Sequence, residues 1–315
     1  MINKITIIGG SGFLGQALCK LLYKKGIDFE VLDIKKNNNF LDFTKIADIR
    51  CCDSLRENIT GDVVINLAAV HHDDAKEEEY FMTNVVGAKN LAKVITEKNI
   101  QKLVFTSSVA VYGFAPPNTD ESGKINPFNE YGKTKYEAEK IYNQWQTDCD
   151  TNLSIIRPTV IFGEGNRGNI YNLMNQIYKN RFLMIGNGRN KKSIAYVDNV
   201  AYFLFHCIKS KKKIELYNYV DSPDLDMNEL VSLIHKTLFG MEKRYLKIPY
   251  VIGYFMGLIF DLFAFILNKK FTISRIRIKK FCSFSQFTST NRKILDNNLS
   301  LREAVIKTLN NEFRF

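Results

Sequence analysis

The chain is predicted to be an α/β protein built on a doubly wound parallel sheet, and two observations carry that prediction. Short apolar runs alternate with amphipathic helical stretches through the first half, which implies parallel strands with helices on both faces. The first of those runs also passes through a glycine-rich turn straight into a helix, the pattern of a dinucleotide-binding crossover.

Lys4–Ile8 is the first strand, and Gln16–Leu22 continues as helix. Between them Gly9, Gly12 and Gly15 fall in a Gly-x-x-Gly-x-x-Gly spacing. Glycine there permits a tight turn and close approach of backbone to a pyrophosphate, which the helix N-terminus then receives. Ser11, Phe13 and Leu14 complete the expected cofactor loop. Phe29–Asp33 is the second strand, with Asp33 at its end. A carboxylate there accepts from a ribose 2′-OH and repels a 2′-phosphate, which favours NAD over NADP. Lys35 and Lys36 follow and pull the other way.

Asp62–Ala69 is a buried strand, Asn84–Lys98 a helix, and Lys102–Ser108 and Leu153–Pro158 are further strands. Ligands bind such sheets at the carboxyl ends of the strands, where His71, Ser107 and Ser108 fall. Tyr131 and Lys135 are four residues apart, hence on one helix face. An ammonium beside a phenol favours the phenolate, lowering a pKa that is ordinarily ~10.

Composition bounds the rest. With 315 residues, 45% of them hydrophobic, the chain can bury a large core in one or two domains. Six cysteines without Cys-x-x-Cys spacing suggest a reducing compartment. Four histidines form no metal-ligand motif, so no metal is expected. The N-terminus reads as a strand rather than a cleavable signal. A net charge of +11 asks for an anionic partner, and no groove-reading motif points to nucleic acid.

Taken in order, Gly9-x-x-Gly12-x-x-Gly15, Asp48-Ile49, Leu67-Ala68-Ala69, Asn84-Val85-x-Gly87, Thr106-Ser107-Ser108-Val109-Ala110-Val111-Tyr112-Gly113 and Tyr131-x-x-x-Lys135 resemble the extended short-chain dehydrogenase/reductase family. The resemblance implies a Rossmann-type NAD-binding domain. It makes Tyr131 the catalytic acid/base, Ser108 its assistant and Lys135 its partner and a ligand of the nicotinamide ribose. Asp48 and Ile49 would lie near the adenine. Leu67, Ala68, Ala69, Asn84, Ser107, Pro158 and Val160 would complete the cofactor site. Sugar 4,6-dehydratases of the family carry Asp-Glu where this chain has Val109-Ala110, which argues against dehydration. Many of its nucleotide-sugar epimerases carry Asn after the strand, where this chain has Arg157-Pro158-Thr159.

Further motifs narrow the resemblance. His71-x-Asp73-Asp74, Ile156 to Glu164, Asn166-Arg167-Gly168-Asn169, Ala195-Tyr196-Val197, Tyr217 to Asp221 and Lys279-Lys280-Phe281-Cys282 are similar to bacterial epimerases of a polyprenyl-diphosphate-linked amino sugar. That implies interconversion of GlcNAc and GalNAc on undecaprenyl diphosphate, through a transient 4-keto sugar, for O-antigen-type polysaccharide. His71, Ser108, Tyr131, Arg167, Asn169 and Lys192 are the substrate candidates, Lys192 standing where related epimerases place a diphosphate-binding arginine. A soluble UDP-GlcNAc or UDP-glucose 4-epimerase and an NAD-dependent sugar or sterol-type dehydrogenase stay open.

The expected division is an NAD-binding domain over 1–165 and a smaller substrate lobe over 166–315, the chain crossing between them. A membrane-associating segment is expected over 243–280. Ile248–Leu267 is nearly all apolar and long enough to span a bilayer. Asp261 interrupts it, and a charge at the bilayer centre costs about 3 kcal/mol on insertion scales. Gly253, Gly257 and Asp261 share one stripe, while Phe255, Leu258, Ile259, Leu262, Phe263 and Ile266 crowd the other side. This suits a helix lying in the interface, peripheral or monotopic at the cytoplasmic face of the bacterial inner membrane. The other reading is a buried helix of an ordinary substrate lobe. Lys243, Arg244, Lys247, Lys269, Lys270, Arg275, Arg277, Lys279 and Lys280 flank it and would meet anionic lipid. Arg275–Lys279 alternates as a strand would. A homodimer is a further expectation.

Overall fold

The computed structural model describes residues 3–72, 74–267, 274–290 and 299–313. Asp73, Lys269 and Lys270 lie outside the described residues, as do the side chains of Leu262 and Ile266. The chain divides into two compact units: Met1–Ile161, Ala195–Val220 and Phe287–Asn298 form the first, and Phe162–Ile194, Asp221–Gln286 and Leu299–Phe315 the second. The chain thus leaves the first unit just after residue 161 and returns to it twice.

The first unit is a seven-stranded sheet. β1 (Ile5–Ile8), β2 (Phe29–Asp33), β3 (Thr44–Ile46), β4 (Val63–Asn66), β5 (Lys102–Thr106), β6 (Asn152–Pro158) and a seventh strand, Ile214–Tyr219, pair in parallel. Their order is seventh–β6–β5–β4–β1–β2–β3. β1 and β4 are buried along their whole length because helices cover both faces, which is why they read as continuous apolar runs. On one face α1 (Phe13–Lys24) and α7 (Val197–Lys209) bring Leu18, Leu22, Val200 and Leu204 onto Ile5, Ile7 and Val31. On the other, α2 (Cys52–Asn58), α4 (Gly87–Glu97) and α5 (Glu130–Cys149) bring Leu55, Leu91, Val94, Tyr142 and Trp145 onto Ile8, Val64, Leu103 and Phe105.

The helix expected over Asn84–Lys98 begins earlier and is not uniform. α3 (Glu77–Tyr80) runs into a π-helical stretch, Phe81–Val86, before α4. Asn84 sits in the wide turn. Its amide accepts from Val70 N (3.0 Å) and donates to Val70 O (3.2 Å) and Thr134 Oγ1 (3.0 Å). The extra residue per turn aims this side chain inward, a common use of π-bulges.

The second unit carries α6 (Asn169–Tyr178), α8 (Met227–Phe239), α9 (Tyr250–Leu267), α10 (Arg275–Cys282) and α11 (Leu301–Phe313). The strand expected over Arg275–Lys279 is instead the start of α10. Ser274 caps it by accepting from Arg277 N (3.3 Å), and Asp261 accepts from Arg275 N (3.2 Å). Five alternating residues are too few to outweigh a capped helical start. α9 packs its glycine side inward: a Cβ at Gly253 would stand 2.6 Å from Ile185 Cγ2, and one at Gly257 2.8 Å from Arg275 N. Val251, Ile252, Phe255, Met256, Ile259, Phe263 and Leu267 face outward and are exposed. Leu258, expected on that outward side, is partly buried. Among the described residues, no helix is long and apolar enough to cross a membrane.

Candidate active site

The glycine loop lies between β1 and α1. Gly9 has φ +80°, and a Cβ on it would stand 2.6 Å from Ala68 N. A Cβ on Gly15 would stand 2.5 Å from Gly10 Cα, so both positions hold the turn tight. At Gly12 a Cβ would meet only Gly9 O, at 3.3 Å, so the loop opens outward there. Gly12 is also the N-cap of α1, and no side chain caps that end. Its backbone N–H groups are left for an anion.

Asp33 anchors the loop to β2. One carboxylate oxygen accepts from Ser11 N and the other from Lys35 N, both at 3.0 Å. The Ser11 hydroxyl donates to Lys35 O (2.8 Å). Lys35 and Lys36 are exposed. Asn37, which the motif reading missed, is buried and donates to Gly10 O (3.1 Å). Phe13 and Leu14 open α1. Asp48 is gripped by Arg50, whose Nε lies 2.9 Å from one oxygen and Nη2 2.6 Å from the other, and this holds its carboxyl below the usual range. Ile49 is buried where a Cβ on Gly87 would stand 2.9 Å from it. Leu67, Ala68 and Ala69 follow β4, partly buried. Pro158 is buried and Val160 is 44% exposed.

The reactive side chains gather past the end of β5. Ser107 is buried, and among the described residues its hydroxyl has no partner, nor has that of Thr106. Unpaired hydroxyls at a strand end, with the glycine loop on β1, fit a polar dinucleotide. Ser108 caps a 3₁₀ turn, Val109–Tyr112, by accepting from Ala110 N (3.1 Å). Its hydroxyl also pulls the pKa of the Tyr131 phenol down. Tyr131 opens α5, whose N-cap Asn129 accepts from Gly132 N (3.0 Å). Gly132 is what permits the approach: a Cβ there would stand 2.5 Å from Ala110 O.

Lys135 lies one turn on, 2% exposed, with its ammonium 4.4 Å from the Phe105 ring centroid. Burial depresses its pKa to about 7, against the pull of Glu139. Tyr131 shows the converse. Burial pushes the phenol up to about 12, Ser108 pulls it down, and Tyr80 pushes it up. The expected lowering by Lys135 is therefore not what dominates here, because both groups are desolvated.

Glu139 and Arg157, which the motif reading did not assign, form a buried pair in the same unit. Arg157 Nε lies 2.8 Å from one Glu139 oxygen and Nη2 2.5 Å from the other. Glu139 is four residues past Lys135, so its place on the reactive face was readable from spacing.

His71 is exposed in the loop after β4. The remaining substrate candidates belong to the second unit. Arg167 is exposed, pairs with Glu312 (2.6 Å) and lies 4.2 Å from the Tyr171 ring centroid. Asn169 is exposed at the first turn of α6. Lys192 donates to Lys280 O (2.7 Å) and Ser283 O (2.6 Å) at the end of α10, and burial depresses its pKa to about 8. In this structure the ammonium satisfies helix-terminal carbonyls.

Residues 5–219 match the NAD dependent epimerase/dehydratase family. The chain is 40% identical over 297 residues to the N-acetyl-alpha-D-glucosaminyl-diphospho-ditrans,octacis-undecaprenol 4-epimerase of Escherichia coli O157:H7, covering 92% of this chain and 88% of the relative. It is 30% identical to a UDP-glucose 4-epimerase of Vibrio cholerae, covering 73% and 74%. Among solved structures, the UDP-glucuronic acid 4-epimerase of Bacillus cereus in complex with NAD superimposes with a TM-score of 0.74 over 98% of both chains. At 18% identity that likeness is one of fold.

Proposed function

The chain belongs to the NAD dependent epimerase/dehydratase family, and from that premise we propose that it inverts C4 of N-acetylglucosamine carried on undecaprenyl diphosphate, giving the N-acetylgalactosamine form. The observation that carries the substrate is the 40% identity spread over 92% of the chain. The match to a UDP-glucose epimerase reaches only 73%.

The glycine loop and the α1 N-terminus hold the NAD pyrophosphate, and Asp33 accepts from the adenosine ribose. Asp48 and Ile49 would lie near the adenine, Leu67, Ala68, Ala69, Asn84, Ser107, Pro158 and Val160 would complete the site, and Lys135 would hold the nicotinamide ribose. Bound NAD supplies the acceptor, and later the donor, of the C4 hydride. Tyr131 takes the proton of the 4-OH as that hydride leaves, and returns it to the 4-oxygen after the keto sugar has turned over. A phenol pushed up to about 12 by burial is almost wholly protonated at neutral pH, so its activation is the central task. The Ser108 hydrogen bond and a protonated Lys135 both favour the phenolate. No net oxidation results.

A polyprenyl carrier keeps the sugar at a membrane surface. The outward face of α9 supplies seven exposed apolar side chains without a charge among them, and Arg275, Arg277 and Lys279 are exposed next in sequence on α10. This arrangement supports a monotopic contact with anionic lipid at the cytoplasmic face.

The test is to incubate the purified protein and NAD with GlcNAc-diphospho-undecaprenol deuterated at C4. Released GalNAc that retains the deuterium supports the reading. Absence of GalNAc, or loss of the label to solvent, contradicts it.

A further inference from the structure

Glu139 and Arg157 carry opposite charges into the core of the first unit, 2% and 4% exposed. A buried ion pair adds little net stability over apolar residues of the same size, so its placement asks for another reason. The guanidinium forks onto the Glu139 carboxylate, and its Nη1 donates to the Tyr112 hydroxyl (2.6 Å). Tyr112 donates in turn to Asn218 Oδ1 (2.9 Å). The fork therefore touches both supports of the reactive set. Glu139 stands one turn past Lys135 and two past Tyr131 on α5, and Tyr112 closes the turn that Ser108 opens.

We propose that Glu139 and Arg157 act as a positioning pair, fixing the helix that bears Tyr131 and Lys135 against the turn that bears Ser108, and setting with their opposed charges the field in which those groups exchange protons. This rests on the epimerase reading above. Among the described residues, the groups that act on the two reactive side chains are few. Glu139 acts on Lys135 from its own helix, and the Phe105 ring of β5 lies beside the ammonium. Ser108 and Tyr80 act on Tyr131 from the 3₁₀ turn and α3. Arg157 approaches from β6, with Tyr112 against it and Glu121 acting on Tyr112.

The charges give opposite signs. Glu139→Gln removes a negative charge, so both reactive groups release protons more readily. Arg157→Met removes a positive charge and does the reverse. The bell-shaped pH dependence of kcat moves to lower pH in the first variant and to higher pH in the second, by about one pH unit, which is about tenfold in rate on either limb. The double variant returns to the wild-type window. The same order appears without NAD or substrate in the ultraviolet difference titration of the Tyr131 phenolate, read against Tyr131→Phe.

Glu139→Gln and Arg157→Met variants that lower kcat with unmoved limbs, or with limbs moved in one common direction, overturn the proposal. Should a single variant not fold, Arg157→Lys decides. It keeps the charge and loses the fork, so a lowered kcat in an unmoved pH window with unchanged KM supports the pair, and a displaced window overturns it. A wild-type protein that epimerises nothing defeats the functional reading instead, and the phenolate titration still judges the pair.

Discussion

The Ser108 oxygen is held by Ala110 N at 3.1 Å, and the Ser108 hydroxyl pulls the pKa of the Tyr131 phenol down against burial. The turn thus orients that hydroxyl before any substrate arrives. Ser108→Ala removes that pull and leaves only Lys135 to favour the phenolate against burial. Its kcat falls by about 10²-fold, and that of Tyr131→Phe by about 10³-fold or more, the range for positioned acid–base groups. Steady-state rates at neutral pH check both. Equal losses in the two variants would contradict the separate roles.

Asp33 binds two backbone N–H groups and still has lone pairs for a ribose hydroxyl. Asp33→Ser therefore weakens NAD binding by about tenfold, the loss of one charge-assisted hydrogen bond, and raises NADP binding as the repulsion disappears. Titrating each dinucleotide against intrinsic fluorescence reads the ratio directly. An unchanged ratio would remove Asp33 from cofactor choice.

Lys192 satisfies two carbonyls at the end of α10. Lys192→Met takes one donor from each, leaving Lys280 O to the Ser283 hydroxyl (3.0 Å) and Ser283 O to Asn190 Nδ2 (3.4 Å), and destabilises the protein by about 1 kcal/mol. KM for the lipid-linked sugar stays within about twofold, the span of a lost contact worth under 0.5 kcal/mol. Denaturant unfolding and KM measured side by side separate this from a diphosphate ligand, whose loss would raise KM and spare stability.

The outward face of α9 predicts a split of another kind. Ile252→Asp, Phe255→Asp and Ile259→Asp replace side chains that are 53%, 59% and 55% exposed. Each should change stability by no more than about 0.5 kcal/mol, as surface substitutions do. Together they should abolish co-sedimentation with vesicles containing phosphatidylglycerol. Undiminished sedimentation would remove α9 from the membrane contact.

What was legible in the chain follows from how local its cause was. The glycine loop, the strand ending at Asp33 and the Tyr131–Lys135 face are set by spacing within one or two elements, and all three stand where spacing put them. α10 was misread because its cap, Ser274, and the carboxylate of Asp261 are supplied from outside the alternating stretch. The contacts of Lys192 were not readable because its partners, Lys280 and Ser283, are about 90 residues away. Gly132 was readable as a helix residue, but its need for no Cβ depends on Ala110 O across the turn. Arg157 stood out only within the departing stretch Arg157-Pro158-Thr159; its partners Glu139 and Tyr112 come from two other elements.

The most direct test of the account compares kcat/KM for GlcNAc-diphospho-undecaprenol with that for UDP-GlcNAc, using the same purified protein and NAD. The account predicts a preference of at least about a hundredfold for the lipid-linked sugar, some 2.7 kcal/mol of discrimination. Equal use of both, or conversion of UDP-GlcNAc alone, would contradict it and make the exposed face of α9 unrelated to the reaction.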